Sequence, residues 1–120
     1  MRRTPLTRKS PLLSHKRPKT YHPKRRTRAE MDHHDAVAEL ACLICKAPAE
    51  IHHLKHDPTT GQHLTRRNHR FVIPLCPMHH RLGGWGVAFH AGSSYWEGIY
   101  GTEVSHWREV QVALGMEVAA

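Results

Sequence analysis

The cysteines and histidines of this chain fall into two halves, and that division constrains the fold more than any other feature. The first half reads Cys42-Leu43-Ile44-Cys45 and then, after six further residues, His52-His53. The second reads Cys76-Pro77-Met78-His79-His80. Each half offers a C-x-x-C or C-x-x-H corner for a soft divalent metal. Zinc takes four tetrahedral thiolate and imidazole ligands in structural sites, and Cys42, Cys45, Cys76 and His79 supply such a set. Thirty residues separate the two corners, a span that a β-hairpin can bridge. Each half also carries histidines that the knuckle does not need, which points to a second site beside the structural one.

Size and composition agree with a metal-dependent fold. A chain of 120 residues makes one small domain with room for tails. Aromatic content is 7%, so the apolar core is expected to be small and a metal to help hold the chain together. Three cysteines cannot all pair, which argues against a secreted disulfide framework. A Cys3His site uses every thiol and fits a reducing compartment. No apolar run of the roughly 18 residues that a transmembrane helix needs is present. The basic N-terminus lacks the apolar stretch of a secretory signal. Pro5, Pro11, Pro18 and Pro23 would break an amphipathic transit helix.

Charge divides the chain near residue 28. Residues 1–28 hold 11 of the 18 Lys and Arg and none of the 10 acidic residues. The cations are Arg2, Arg3, Arg8, Lys9, Lys16, Arg17, Lys19, Lys24, Arg25, Arg26 and Arg28. With four prolines and no hydrophobic periodicity, this tail is expected to be disordered. Such a density of cations without anions favours a nucleic-acid partner. Binding of that kind neutralises phosphates, releases counterions and is sequence-independent and salt-sensitive. Tyr21 is the one aromatic residue in the stretch, so interleaved base stacking is not indicated.

Residues 29–120 are expected to form the folded domain, of α+β class. Thr27-Arg28-Ala29-Glu30 fits a capping box that opens a first helix. Ala36, Val37, Leu40 and Ala41 would make its apolar face, and His33 and His34 are expected at its surface. Ile51 to Leu54 reads as a short strand, residues 55–69 as a polar loop, and Arg70 to Leu75 as the second strand of a hairpin. A short helix from Cys76 to about Leu82 would end at Gly83, Gly84 and Gly86. A last helix is expected from Thr102 to Leu114, with Val104, Trp107, Val110 and Leu114 inward, His106 on its polar side and Gly115 as its C-cap. His56 and His63 are expected in solvent.

His-His on the first strand of a hairpin, with a further His at the start of the next helix, resembles the ββα-metal site of HNH nucleases. The residue types suit phosphodiester hydrolysis. That reaction needs a base for water and a cation to stabilise charge on the phosphate and on the leaving 3′-oxygen. A neutral imidazole suits the base role. By the HNH pattern, His52 would be the first metal ligand, His53 the general base and His80 a second metal ligand. Gly83 and Gly84 cannot supply a further ligand from the helix, so His90, beyond the glycine turn, is the candidate. For the middle residue of the motif, Asn68 and His69 both remain open. Arg66, Arg67 and Arg70 form a basic patch before the second strand, placed for phosphate contacts.

A longer series resembles the phage-encoded Ref-type nucleases, the recombination-enhancement, RecA-dependent endonucleases of the HNH superfamily. It comprises Val37 to Cys45, His52-His53, Phe71 to His80, the glycine turn with His90, and Tyr100-Gly101-Thr102-Glu103, and spans about residues 30–114. The resemblance implies a zinc-stabilised fold with a disordered basic DNA-binding arm. It also implies a catalytic Mg, Mn or zinc ion and cleavage of recombination intermediates such as D-loops in concert with RecA filaments. The setting it implies is phage or prophage, in the cytoplasm of a bacterial host, with a monomeric enzyme. His69 stands where the family has an acidic residue, and Ala91-Gly92-Ser93-Ser94 is looser than its usual Leu-Gly.

The competing expectation is a zinc-knuckle DNA-binding module without catalysis. Such a module needs Cys42, Cys45, Cys76 and His79 but not His53 or His80. An RNA-binding accessory protein is permitted by the tail and opposed by its lack of stacking aromatics.

Overall fold

The structure is a computed structural model and describes residues 25–116. Arg2, Arg3, Arg8, Lys9, Lys16, Arg17, Lys19 and Lys24, and most of the expected disordered tail, lie outside the described residues.

Helix α1 spans Arg28–Glu39 and opens on the expected capping box. The Thr27 hydroxyl accepts from the Glu30 N–H at 3.2 Å, and the Thr27 N–H donates to the Glu30 carboxylate at 3.0 Å. The helix stops earlier than its apolar pattern predicts. Leu40 is the C-cap and Ala41 adopts φ 64°, so of Ala36, Val37, Leu40 and Ala41 only Val37 is fully buried. The early stop turns the chain so that Cys42 enters the knuckle. There the Cys42 N–H donates to the Ala47 carbonyl and the Lys46 N–H donates back to Cys42, each at 2.9 Å.

Strand β1, Glu50–His53, pairs antiparallel with β2, Val72–Leu75. The register sets His52 opposite Ile73 and His53 opposite Val72. Helix α1 and the last helix, α3 (Glu103–Ala113), both pack on β2, whose four residues are all buried. Pro74 is tolerated because the sheet has two strands, and its carbonyl accepts the Leu43 N–H at 3.3 Å from the knuckle. Beyond β2 the chain makes a single π-helical turn, Met78–Leu82. It closes with the Gly83 N–H on the Met78 carbonyl at 2.9 Å. A Cβ at Gly83 would sit 2.5 Å from that carbonyl and 2.6 Å from Val87, so only glycine fits.

A 3-10 turn, Phe89–Ala91, and helix α2, Ser93–Tyr100, come next. Sequence reading did not anticipate α2, because Ser93, Ser94 and Gly98 are weak helix formers. Its stability is tertiary. Trp96 is fully buried, packs on Phe89 at 5.3 Å between ring centroids, and donates its indole N–H to the Val87 carbonyl at 3.1 Å.

Helix α3, Glu103–Ala113, is capped by Thr102, and Gly115 follows its C-cap in the left-handed region at φ 70°. Its buried face is Glu103, His106, Trp107, Val110 and Gln111. His106 was expected on the polar side and is instead buried, with its ring 5.7 Å from Trp96. The unanticipated α2 covers that side. His34, expected at the surface, is also buried, and His33 is half-buried, because α1 lies against the loop that leads into β2. His56 is half-buried against Glu103 rather than solvated, while His63 is exposed.

The result is a small α+β unit with a two-stranded sheet and helices around it. Among the described residues no helix is long and apolar enough to cross a membrane. Phe89 is the hinge of the packing, since its ring lies 4.4 Å from His52 and 5.3 Å from Trp96. Phe89→Ala is expected to cost about 3–5 kcal/mol, most of the stability of a domain this small. Urea denaturation beside the wild type checks it.

Candidate metal centres

Two C-x-x-ligand corners meet where the knuckle loop folds over the start of the π-helical turn. The ligand atoms of Cys42, Cys45, Cys76 and His79 all lie within 4.8 Å of one another. Cys45 Sγ is 3.5 Å from Cys76 Sγ, and His79 Nδ1 is 3.2 Å from Cys76 Sγ and 3.8 Å from Cys42 Sγ. Zinc bond lengths imply tetrahedral edges of about 3.3–3.8 Å, so the donor set fits zinc. The cysteines are all free thiols.

A second group, His52, His80 and His90, brings its ligand atoms within the same 4.8 Å. His52 is fully buried. Its Nε2 lies 3.1 Å from the Glu103 carboxylate, and an ionised carboxylate can only accept. The proton therefore sits on Nε2, and Nδ1 presents a lone pair. That Nδ1 is buried and has no hydrogen-bond partner. Burial alone would raise the Glu103 carboxyl. Hydrogen bonds from His52 and from the Lys55 N–H hold it below the usual range instead. The Lys55 and His56 N–H groups reach Glu103 at 2.8 and 3.2 Å.

His80 repeats the arrangement. Its Nδ1 donates to Glu50 at 2.7 Å, leaving Nε2 bare and 3.0 Å from His90 Nε2. Arg81 grips the same carboxylate at 2.8 and 3.3 Å, and its hydrogen bond is the main reason the Glu50 pKa is lowered. His90 comes from the 3-10 turn, and burial, with His52 and His80 nearby, lowers its pKa to about 4. Two imidazoles thus park their protons outward on carboxylates and turn lone pairs inward. This carboxylate–histidine pattern orients metal ligands, and it fits a divalent cation.

A third group lies on the other face of β1. His53 Nε2 is 3.1 Å from His69 Nδ1. His53 is half-buried, and burial, followed by the charges of Arg67 and nearby histidines, lowers its pKa to about 4. It is uncharged near neutral pH. Of the two residues left open for the middle of the motif, the structure brings His69 to His53. Asn68 closes the turn instead: its side-chain oxygen accepts the Arg70 N–H at 2.9 Å.

His52, His53, His80 and His90 line one cleft of about 650 Å³, together with Lys55, Arg66, Arg67 and Arg81. The expected basic patch is split. Arg66 and Arg67 border this cleft, whereas Arg70 lines a separate groove with His33 and Trp107. Of the remaining cations, Arg28 pairs with Asp32 at 3.2 Å, Arg26 bonds His34 at 2.8 Å, and Arg25 is exposed.

Sequence reading missed Glu50, Glu103, His34, Lys55 and Arg81. Glu50 was findable, since strand alternation puts it on the same face as His52. Glu103 had no such signal, because its contact spans 51 residues between helix α3 and strand β1.

Stripping zinc from the Cys3His set with a chelator is expected to abolish the cooperative fold, restored on adding zinc back, as read by circular dichroism. Glu103→Ala is expected to weaken binding at the histidine set by about 10–100-fold while the thiolate set still fills. Titration with Co²⁺ separates the two, because thiolate and imidazole sites differ in their absorption spectra.

No curated protein and no solved structure matches the chain. Residues 11–116 match the model of a family described as Protein of unknown function (DUF968), and the chain belongs to that family.

Proposed function

We propose that this protein is a metal-dependent DNA endonuclease of the HNH type. The observation that carries the reading is the buried, unpartnered Nδ1 of His52, a residue that lines the same cationic cleft as the neutral His53 imidazole. A purely structural zinc protein has no use for that pairing. The hairpin followed by a helical turn fits a ββα-metal fold, with the third ligand, His90, coming from a separate 3-10 turn.

In this reading Cys42, Cys45, Cys76 and His79 hold a structural zinc. His52, His80 and His90 hold the catalytic Mg, Mn or zinc ion. That cation supplies charge stabilisation at the phosphate and at the leaving 3′-oxygen. With His53 Nε2 as the donor in its 3.1 Å contact with His69 Nδ1, the His53 Nδ1 lone pair is left to take a proton from water. Lys55, Arg66 and Arg67 attract the phosphate backbone into the cleft, and the basic tail prolongs residence on DNA without choosing sequence. The substrate class is recombination intermediates such as D-loops formed by RecA. This partner, like a phage or prophage origin, a monomeric state and action in a bacterial cytoplasm, is supported by the resemblance to Ref-type nucleases.

The test is cleavage of a RecA-formed D-loop in Mg²⁺ or Mn²⁺, with and without RecA, comparing the wild type with His53→Ala. Circular dichroism and zinc content establish that the variant is folded. Loss of the base is expected to lower the rate by about 10²–10⁴. Cutting that needs both RecA and His53 supports the full reading. Cutting that needs His53 but not RecA keeps the chemistry and removes the partner. DNA binding without cutting under any condition favours the non-catalytic zinc module.

A further inference from the structure

His34 was expected on the surface of α1 and is instead buried behind the imidazole assigned as base. Its ring lies edge-on to His53 at 5.6 Å and to His69 at 5.4 Å. The ligand atoms of His34, His53 and His69 lie within 4.8 Å of one another, which by distance alone would admit a metal. The hydrogen bonds exclude that use. Arg26 Nη1 is 2.8 Å from His34 Nδ1. A guanidinium can only donate, so Nδ1 is the acceptor and its lone pair is taken. The ring proton must then be on Nε2. That nitrogen is 2.7 Å from the His69 carbonyl, which can only accept. Both nitrogens are used, the tautomer is fixed by its two partners, and a guanidinium charge sits where a cation would have to approach.

We propose that His34, held by Arg26, is a positioning residue for the base. It ties the His69 backbone to α1, and so holds His69 Nδ1 where it can accept the Nε2 proton of His53. The loop before β2 is otherwise polar and largely exposed, so this clamp supplies its order at the point where order matters. With His53 as the donor in that 3.1 Å contact, its proton sits on Nε2 and its Nδ1 lone pair is kept. The catalytic part of this inference rests on the endonuclease reading; the tautomer part does not.

The test uses full-length protein labelled with ¹⁵N-histidine, with long-range ¹H–¹⁵N spectra reporting each tautomer. His34 and His53 are both expected as the Nε2–H form. In His34→Phe, which keeps bulk but removes both hydrogen bonds, His53 is expected to become a mixture of tautomers. His34→Gln retains a side-chain donor for the His69 carbonyl and is expected to restore the single form. If wild-type protein cuts D-loops, kcat should fall about tenfold or more in His34→Phe with KM unchanged, and recover in His34→Gln. If it cuts nothing, the endonuclease reading fails, and the tautomer of His53 still decides the role of His34. Should His34→Phe not fold, Arg26→Ala frees His34 Nδ1 without opening the core, and His34 and then His53 are expected to lose their single tautomers. An unchanged His53 in a folded variant overturns the proposal. So does a zinc titration that moves the His34, His53 and His69 resonances together and removes the His34 Nε2 proton.

Discussion

A strand sends successive side chains to opposite faces, so the neighbours His52 and His53 cannot serve the same set of partners. The architecture is organised around that constraint. On one face His52 meets Phe89, His80, His90 and Glu103; on the other, His53 meets His34 and His69. Because the sheet has only two strands, β1 is an edge strand. The cleft runs along that edge and touches both faces. A wider sheet would have sealed the two histidines into separate compartments. The brevity of the sheet is therefore what lets histidines from both faces of β1 line one cleft.

Six histidines so close together would repel strongly if charged; burial lowers the pKa values of four of them, His34, His52, His53 and His90, and hydrogen bonds decide which nitrogen carries the proton. His52 donates to Glu103 and His80 to Glu50, while His34 donates to a carbonyl because Arg26 occupies its other nitrogen. Burial reinforces the assignment by lowering the pKa values of His53 and His90 to about 4. A neutral imidazole is what a cation needs as a ligand and what water needs as a base. The carboxylates thus do more than balance charge: by holding protons on the outer nitrogens they decide which lone pairs face the cleft. Ordinary surface ion pairs, such as Arg28 with Asp32, contribute little by comparison.

The sequence was most legible where chemistry is local. The capping box at Thr27, the two C-x-x-ligand corners and the His-His strand each lie within a few residues, and the structure contains them at the expected places. It was least legible where an assignment depends on tertiary cover. Helix α2 has poor intrinsic propensity and exists because Trp96 is buried. That same helix buries His106, and the loop packed on α1 buries His34. Nothing in the periodicity of α1 or α3 marks either histidine as internal, since a polar residue at a helical position is normally read as solvent-facing. The choice between Asn68 and His69 failed to resolve for a related reason. Either side chain has suitable chemistry, and only the turn geometry, which spends the Asn68 oxygen on the Arg70 N–H, separates them.

His79 and His80 repeat in the π-helical turn what His52 and His53 do in the strand. One residue completes the thiolate set and its neighbour completes the histidine set. The two ligand sets are thereby joined through a single peptide bond. The thiolate-rich set fills its four positions and suits zinc as a permanent structural ion. The three-imidazole set would leave a coordination position open, and imidazole donors suit borderline divalent metals such as zinc. A metal ion in the first set would fix the turn that presents His80, and Glu50 holds the ring of His80 from β1. A chain with so small a core cannot preorganise three imidazoles by packing alone. A structural ion held one residue away from the histidine set would answer that shortage.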